Sequence, residues 1–248
     1  MVRTPLVALC ADWGRYLSMK KSPLPEWPRT QLEGCEQQLL SRGSRWKPAV
    51  LRVVDADGRV RIVKDCLCVS PLTRWAARYL MGRERRIMRR LEGMKGFPVV
   101  QEVVDRNAFT MNEMAGEPLQ PETFRLAPRR LADALLEMAA AMNERGVFHL
   151  DLRQRQNVLI GKGLKVAIID FGAAWAPNPM TRWLFGGLLR QVDRSAALKY
   201  LALFAPEHLT RNEAEEVLRG LRKRKLWLLS PYRSRGIENA VRKRLEDI

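Results

Sequence analysis

Asp151, Asn157 and Asp170 are the residues best placed to do chemistry, in the contexts His149-Leu150-Asp151, Asn157-Val-Leu-Ile160 and Asp170-Phe171-Gly172. A carboxylate beside a hydroxyl can orient it and accept its proton. A carboxamide oxygen and a second carboxylate are hard donors of the kind that hold Mg2+ against phosphate oxygens. One acid for a hydroxyl and an amide–acid pair for metal are what phosphoryl transfer from Mg-ATP requires. Between Asn157 and Asp170 two apolar runs flank Gly161-Lys-Gly163, which reads as a hairpin that would bring the two metal ligands together.

This joint spacing resembles the catalytic and metal-binding loops of the protein-kinase-like phosphotransferases, an HRD-type loop followed by DFG. The resemblance implies an α+β, bilobal fold with a small β-rich lobe carrying one main helix and a larger, mostly helical lobe. ATP and Mg2+ are the implied cofactors, with Asp151 as proton acceptor and Asn157 and Asp170 as metal ligands. Arg153, just past Asp151, is placed to steady the transferring phosphate. Upstream, Val60-Arg-Ile-Val-Lys64 alternates like a strand and follows Ala49-Val-Leu-Arg-Val-Val54 across the turn Asp55-Ala-Asp-Gly58. Ile87, Met88 and Leu91 then show helical spacing, with Glu84 on a neighbouring face. In such proteins a lysine–glutamate bridge holds the ATP-binding lysine, a role the resemblance gives to Lys64 and Glu84. The stretch from Phe109 to Leu119 fits the crossing between lobes, where the backbone of Glu113 to Ala115 would bond adenine. Pro128 to Arg145 repeats Leu131, Leu135, Met138 and Met142 as an amphipathic helix that Gly146 ends.

The chain also departs from the family pattern. No GxGxxG precedes Lys64; Ser41-Arg-Gly43-Ser-Arg45 keeps a single glycine, and Gly43 is the candidate for phosphate coverage. The catalytic loop is one residue longer than usual, so Asn157 rather than Gln156 stands in the NVLI context. Leu150 replaces the HRD arginine. Ala205-Pro206-Glu207 lies far beyond DFG, and Val192-Asp193-Arg194-Ser195 with Ala197, Leu198 and Leu201 already reads as the next helix. Without a long activation segment a peptide groove loses its floor. The short form resembles the small bacterial kinase-like enzymes, the lipopolysaccharide core sugar kinases and the RIO kinases, over roughly residues 39–201. The expected organisation is a proline- and tryptophan-bearing extension over 1–38 that straps the small lobe, a small lobe over 39–115, and a large lobe over 116–248 with basic C-terminal helices.

Composition narrows the acceptor. The chain has 44 Lys and Arg against 27 Asp and Glu, a formal net charge of +17. That balance favours an anionic glycolipid or membrane surface; a protein substrate is the alternative acceptor, and no RNP-like motif supports nucleic acid. Arginines crowd the segment from Arg74 to Arg90, with Trp75, Tyr79 and Leu80 among them, and Arg222-Lys-Arg-Lys225 runs into Leu226-Trp227. Mixed cationic, tryptophan and leucine side chains suit a headgroup region, as does the apolar Trp175–Leu189 stretch. No apolar run reaches the roughly 20 residues of a membrane span, and the N-terminal apolar run is short for a signal peptide. Peripheral association from the cytoplasm, on the inner membrane face, is the expectation. A third expectation, of another class, is a catalytically silent pseudokinase that binds membrane or protein through its basic faces. Cys10, Cys35, Cys66 and Cys68 lack zinc spacing and read as reduced thiols, with Cys66 and Cys68 on a strand. His149 is expected to support its loop, and His208 to lie at a surface or helix end.

Overall fold

A computed structural model describes residues 23–44, 46–225 and 235–248, the side chains of 222–225 and 235 excepted. Cys10, Arg45, Trp227 and the basic run at 222–225, as side chains, therefore lie outside the described residues. The fold is α+β. Its described residues form a five-stranded antiparallel sheet, a three-stranded sheet and seven α-helices. The described residues divide into two compact units, one of those up to 114 with 170–184, the other of 115–169 with those from 185 onward.

In the first unit, β1 (Glu36–Ser41), β2 (Ala49–Val54), β3 (Val60–Asp65), β4 (Val100–Asp105) and β5 (Ala108–Asn112) pair in the order β1-β2-β3-β5-β4. β2 and β3 are rich in β-branched residues, Val50, Val53 and Val54 on one and Val60, Ile62 and Val63 on the other, which suit a pleated surface. Asp55 fixes the β2–β3 turn by accepting the N–H groups of Asp57 and Arg59 on Oδ1, at 3.0 and 2.8 Å. One face of the sheet presents Val53, Val63, Val104 and Ala108, and Trp27 and Leu32 pack on it. They come from the segment around α1 (Arg29–Glu33), which is stitched down by Val103 N–H to Pro25 O and Trp27 N–H to Val103 O, both 2.9 Å. Residues 23–33 thus strap the sheet. Arg29 reinforces the strap, reaching Asp65 at 2.7 Å and Asp105 at 2.8 Å.

α2 (Arg74–Leu91) completes the unit, burying Ala77, Met81, Glu84, Ile87, Met88 and Leu91. Several of its arginines are structural. Arg74 donates to Val69 O and Leu67 O, Arg78 to Asn107 Oδ1, and Arg83 to Gly172 O. Trp75 and Tyr79 on the same helix are exposed. Cys66 and Cys68 fall beyond the end of β3, in a turn closed by Val69 N–H on Cys66 O, not on the strand as expected. The chain must leave the sheet there to reach α2. Cys35, Cys66 and Cys68 are all free thiols.

These ion pairs carry a pH prediction. Arg61 holds the Asp55 carboxyl below its ordinary range. Burial pushes Asp105 up, but hydrogen bonds from Arg29 and the Asn107 N–H outweigh it and leave it low. A carboxyl depressed in the folded state stabilises above its unfolded pKa of about 3.9, and the contribution fades as pH falls through the folded value. The melting temperature should therefore fall as pH drops below about 4, and Asp105→Asn should flatten part of that fall. An unchanged acid limb in this variant would remove Asp105 from the account.

In the second unit, β6 (Glu117–Pro118), β7 (Val158–Gly161) and β8 (Lys165–Ile168) form an antiparallel sheet in that order. The β7–β8 pair is the expected hairpin, with Val158 opposite Ile168. The helices are α3 (Pro121–Arg125), α4 (Pro128–Glu144), α6 (Arg211–Lys225) and α7 (Arg235–Glu246), with α5 (Pro179–Phe204) entering from the first unit. α4 buries Leu131, Ala132, Leu135, Ala139, Met142 and Asn143, whereas Met138 is only half-buried. Gly146 ends it in the left-handed region, at φ 72°, so that Val147 N–H can reach Met142 O at 3.2 Å. The helix expected from Val192 begins at Pro179, because Asn178 caps it: Asn178 Oδ1 takes Thr181 N–H at 2.8 Å. Ala205-Pro206-Glu207 follows the end of α5, and Pro206–His208 forms a 3-10 turn. His208 is exposed there. Among the described residues no helix is long and apolar enough to cross a membrane.

Candidate functional site

The sequence-derived residues gather into two clusters, one in each unit. In the first, Lys64 stands on β3 with Glu84 on α2, and Asp170 opens the turn Phe171–Ala173. Lys64 Nζ donates to Glu84 Oε1 at 2.6 Å and to Asp170 Oδ1 at 3.0 Å. Lys64 and Glu84 are buried, whereas the Asp170 side chain is 55% exposed. Burial pulls the Lys64 ammonium down, but the charges of Glu84 and Asp170 outweigh it and leave its pKa raised. Lys64 is therefore cationic throughout the neutral range, as a phosphate-binding lysine must be.

The Asp170 turn is held by its neighbours. Asp170 adopts φ 62° and accepts Gly172 N–H at 3.4 Å. Phe171 is fully buried with its ring 6.1 Å from that of Phe97. Arg83 Nη2 donates to Gly172 O at 2.6 Å, which ties the turn to the helix that carries Glu84. Sequence reading gave Arg83 no such role; a solvated arginine and a carbonyl-binding one look alike in a string.

Gly43 lies in the β1–β2 connection at φ 68°, where an added Cβ would fall 2.6 Å from Lys47 O. Ser44 tightens the same turn, accepting Trp46 and Lys47 N–H on Oγ at 3.2 and 3.1 Å. Gly43 is thus required by the turn's own backbone. Glu113 follows β5, its carboxylate held by Arg52 at 2.8 Å, and Ala115 is exposed at the start of the second unit.

The second cluster is the loop from His149 to Asn157. Asp151 Oδ2 accepts Gln154 Nε2 at 2.5 Å, and Asn157 Nδ2 donates to Asp151 O at 3.0 Å. With its nitrogen so engaged, Oδ1 is the Asn157 atom that could act as a donor to a metal ion. Asn157 is buried and Gln156 turns outward, exposed. Ile169 N–H donates to Asn157 O at 2.9 Å, so the hairpin register sets Asn157 opposite the residue bonded to Asp170. His149 is buried, its Nε2 3.0 Å from Ile169 O, a bond that ties the loop to the hairpin strand. Arg153 turns onto α5, with Nη2 3.4 Å from Ser195 Oγ and its Nε buried without a hydrogen-bond partner. Lys199 Nζ and Tyr200 Oη donate to the carbonyls of Arg153 and Leu152, at 3.3 and 2.6 Å.

Asp193 is the residue that sequence reading placed on a helix without a function. It is 1% exposed and accepts Leu150 N–H on Oδ1 at 2.8 Å, with His149 N–H and Asn143 Nδ2 on Oδ2 at 2.9 and 3.1 Å. Leu150 sits at φ 64°, so this carboxylate anchors a strained loop residue next to Asp151. Burial pushes the Asp193 carboxyl above its ordinary range, only partly countered by its N–H donors.

Among the described residues there is no group of three or more His, Cys, Asp and Glu side chains that could hold a metal unaided. A Mg2+ that is carried largely by phosphates and water needs only one or two protein oxygens, and the Asn157 amide and Asp170 carboxylate are donors of that type. No family model and no curated protein matches this chain.

Proposed function

We propose that the protein is an ATP- and Mg2+-dependent phosphotransferase of bilobal protein-kinase-like architecture, acting on a hydroxyl of a cell-envelope glycolipid or its sugar core. The observation that carries the reading is Lys64, buried and cationic, bridged to Glu84 at 2.6 Å and to Asp170 at 3.0 Å. An ammonium oriented by one buried carboxylate and shared with a second, exposed one is matched to triphosphate binding and has no need to exist for stability alone.

Lys64 would neutralise the α- and β-phosphates. Asn157 and Asp170 would hold Mg2+, which when bound offsets charge on the phosphate oxygens. Asp151 would orient the acceptor hydroxyl: the oxygen bonds to the γ-phosphorus, the bond to the ADP oxygen breaks, and the hydroxyl proton passes to the Asp151 carboxylate. Most of the acceleration comes from positioning and charge neutralisation. The net charge of +17 supports an anionic acceptor and association with the inner face of the cell membrane, where ATP is available.

Labelled Mg-ATP offered with an envelope glycolipid fraction, and separately with a basic protein, tests this. Label is expected in the lipid fraction and should be lost with Asp170→Ala. Label in protein alone would shift the acceptor class to that of a protein kinase, and none in either, with Mg-ATP still raising the melting temperature, would favour a pseudokinase.

A further inference from the structure

The two halves of α5 treat their apolar residues oppositely. Its C-terminal half buries Ala197, Leu198, Tyr200 and Leu201, as a packed helix should. Its N-terminal half instead exposes Met180, Trp183, Leu184 and Leu188, at 61, 57, 55 and 59%. These positions stand at i, i+3, i+4 and i+8, a single helical stripe about 12 Å long at 1.5 Å per residue. Phe185 on its flank is also 49% exposed. A stripe with this spacing is what a helix presents to a core, yet here it faces away from one.

Charge identifies what covers it. From Phe171 to Val192 there is no aspartate or glutamate, while Arg182 and Arg190 add positive charge. Arg190 lies two turns beyond Trp183 on the same line of the helix. A second copy of this chain would bring another +17 against the first, whereas an anionic lipid surface attracts both the helix and the chain that carries it. Indole and leucine flanked by arginine, with no acid, are the residues of a helix that lies in a bilayer interface.

We propose that the first three turns of α5 are a docking element for an anionic lipid bilayer, with Met180, Trp183, Leu184 and Leu188 inserted at the boundary between headgroups and acyl chains. The inference deepens the membrane part of the reading above and rests on it, but does not depend on phosphoryl transfer.

The test uses the full chain without nucleotide, sedimented with phosphatidylcholine vesicles that contain or lack phosphatidylglycerol. Wild type should bind the anionic vesicles, and Leu184→Ser/Leu188→Ser should bind at least about tenfold more weakly. Both leucines are exposed, so the variant should melt with wild type. High salt should weaken binding of both proteins yet leave the gap between them, because insertion is not screened. Equal binding of the two proteins, or complete loss of wild-type binding in salt, would overturn the assignment and leave charge alone as the cause. No vesicle binding, with self-association that the double variant abolishes, would give the face to a second copy. Asp170→Ala should bind vesicles as wild type does. Failure of the phosphotransferase reading therefore leaves this result untouched.

Discussion

Replacing Asp151 by alanine is expected to lower phosphate transfer from Mg-ATP by on the order of 10²- to 10⁴-fold while leaving nucleotide affinity near wild type. The expectation rests on how little else the Asp151 side chain does. Its carboxylate accepts Gln154 Nε2 and, weakly at 3.4 Å, Asn157 Nδ2, whereas the stronger bond from Asn157 goes to the Asp151 carbonyl, which alanine retains. The loop is held from below by Asp193, Tyr200 and Lys199 through main-chain atoms. Stability should therefore change by about 1 kcal/mol, since of the two side-chain bonds lost one is exposed and the other is long at 3.4 Å. Lys64 is held by Glu84 and Asp170, not through the Asp151 loop, so ATP-dependent thermal stabilisation should persist. Turnover unchanged by the substitution would remove Asp151 as proton acceptor. Equal loss of turnover and nucleotide binding would instead mean that the carboxylate helps to hold the metal.

Much of this could be read from the string because local pattern and chemistry agree there. The hairpin between Asn157 and Asp170 needs only two short apolar runs and a glycine turn, and it forms, with Val158 opposite Ile168. Lys64 closes an alternating run of strand residues; Glu84, expected on a face beside the apolar stripe, is instead buried with Met88 and Leu91. What escaped reading depends on distant partners. The strap over 23–33 is legible as an extension over the small lobe, but it is proline-punctuated and has no period, and only Trp27 and Leu32 meeting Val53 and Val63 show where it lies. The arginines of α2 look like one charged face, yet Arg78 and Arg83 are each committed to a hydrogen bond far away in the chain. The start of α5 was hidden because an apolar stretch beside a predicted helix looks like a loop or docking segment until Asn178 is seen to cap it. Asp193 left a fainter signal: it stands four and eight residues before the buried Ala197 and Leu201, on the face that packs. An acid on such a face is buried for a reason.

That reason makes Asp193→Ala the substitution with the largest expected effect on stability. The carboxylate is the acceptor for the main-chain N–H groups of His149 and Leu150, and also takes Asn143 Nδ2, which keeps Ala139 O at 2.6 Å as a second partner. Alanine removes the acceptor from two buried main-chain donors, at about 1–3 kcal/mol each. Relief from burying a carboxylate returns part of this, so a net loss of about 3 kcal/mol is expected, a large share of a typical domain's 5–15 kcal/mol. Asparagine should cost less, because its one carbonyl oxygen can still serve one donor while its amide nitrogen faces the other. Urea unfolding gives the global loss, and hydrogen exchange at the Leu150 amide gives the local one. Leu150 at φ 64° is held there by the bond to Asp193, so without it the loop should relax and transfer should fall even at temperatures where the variant remains folded. Slow exchange at Leu150 in Asp193→Ala, with the urea midpoint of wild type, would show that water replaces the carboxylate and that the anchor is not what sets the loop.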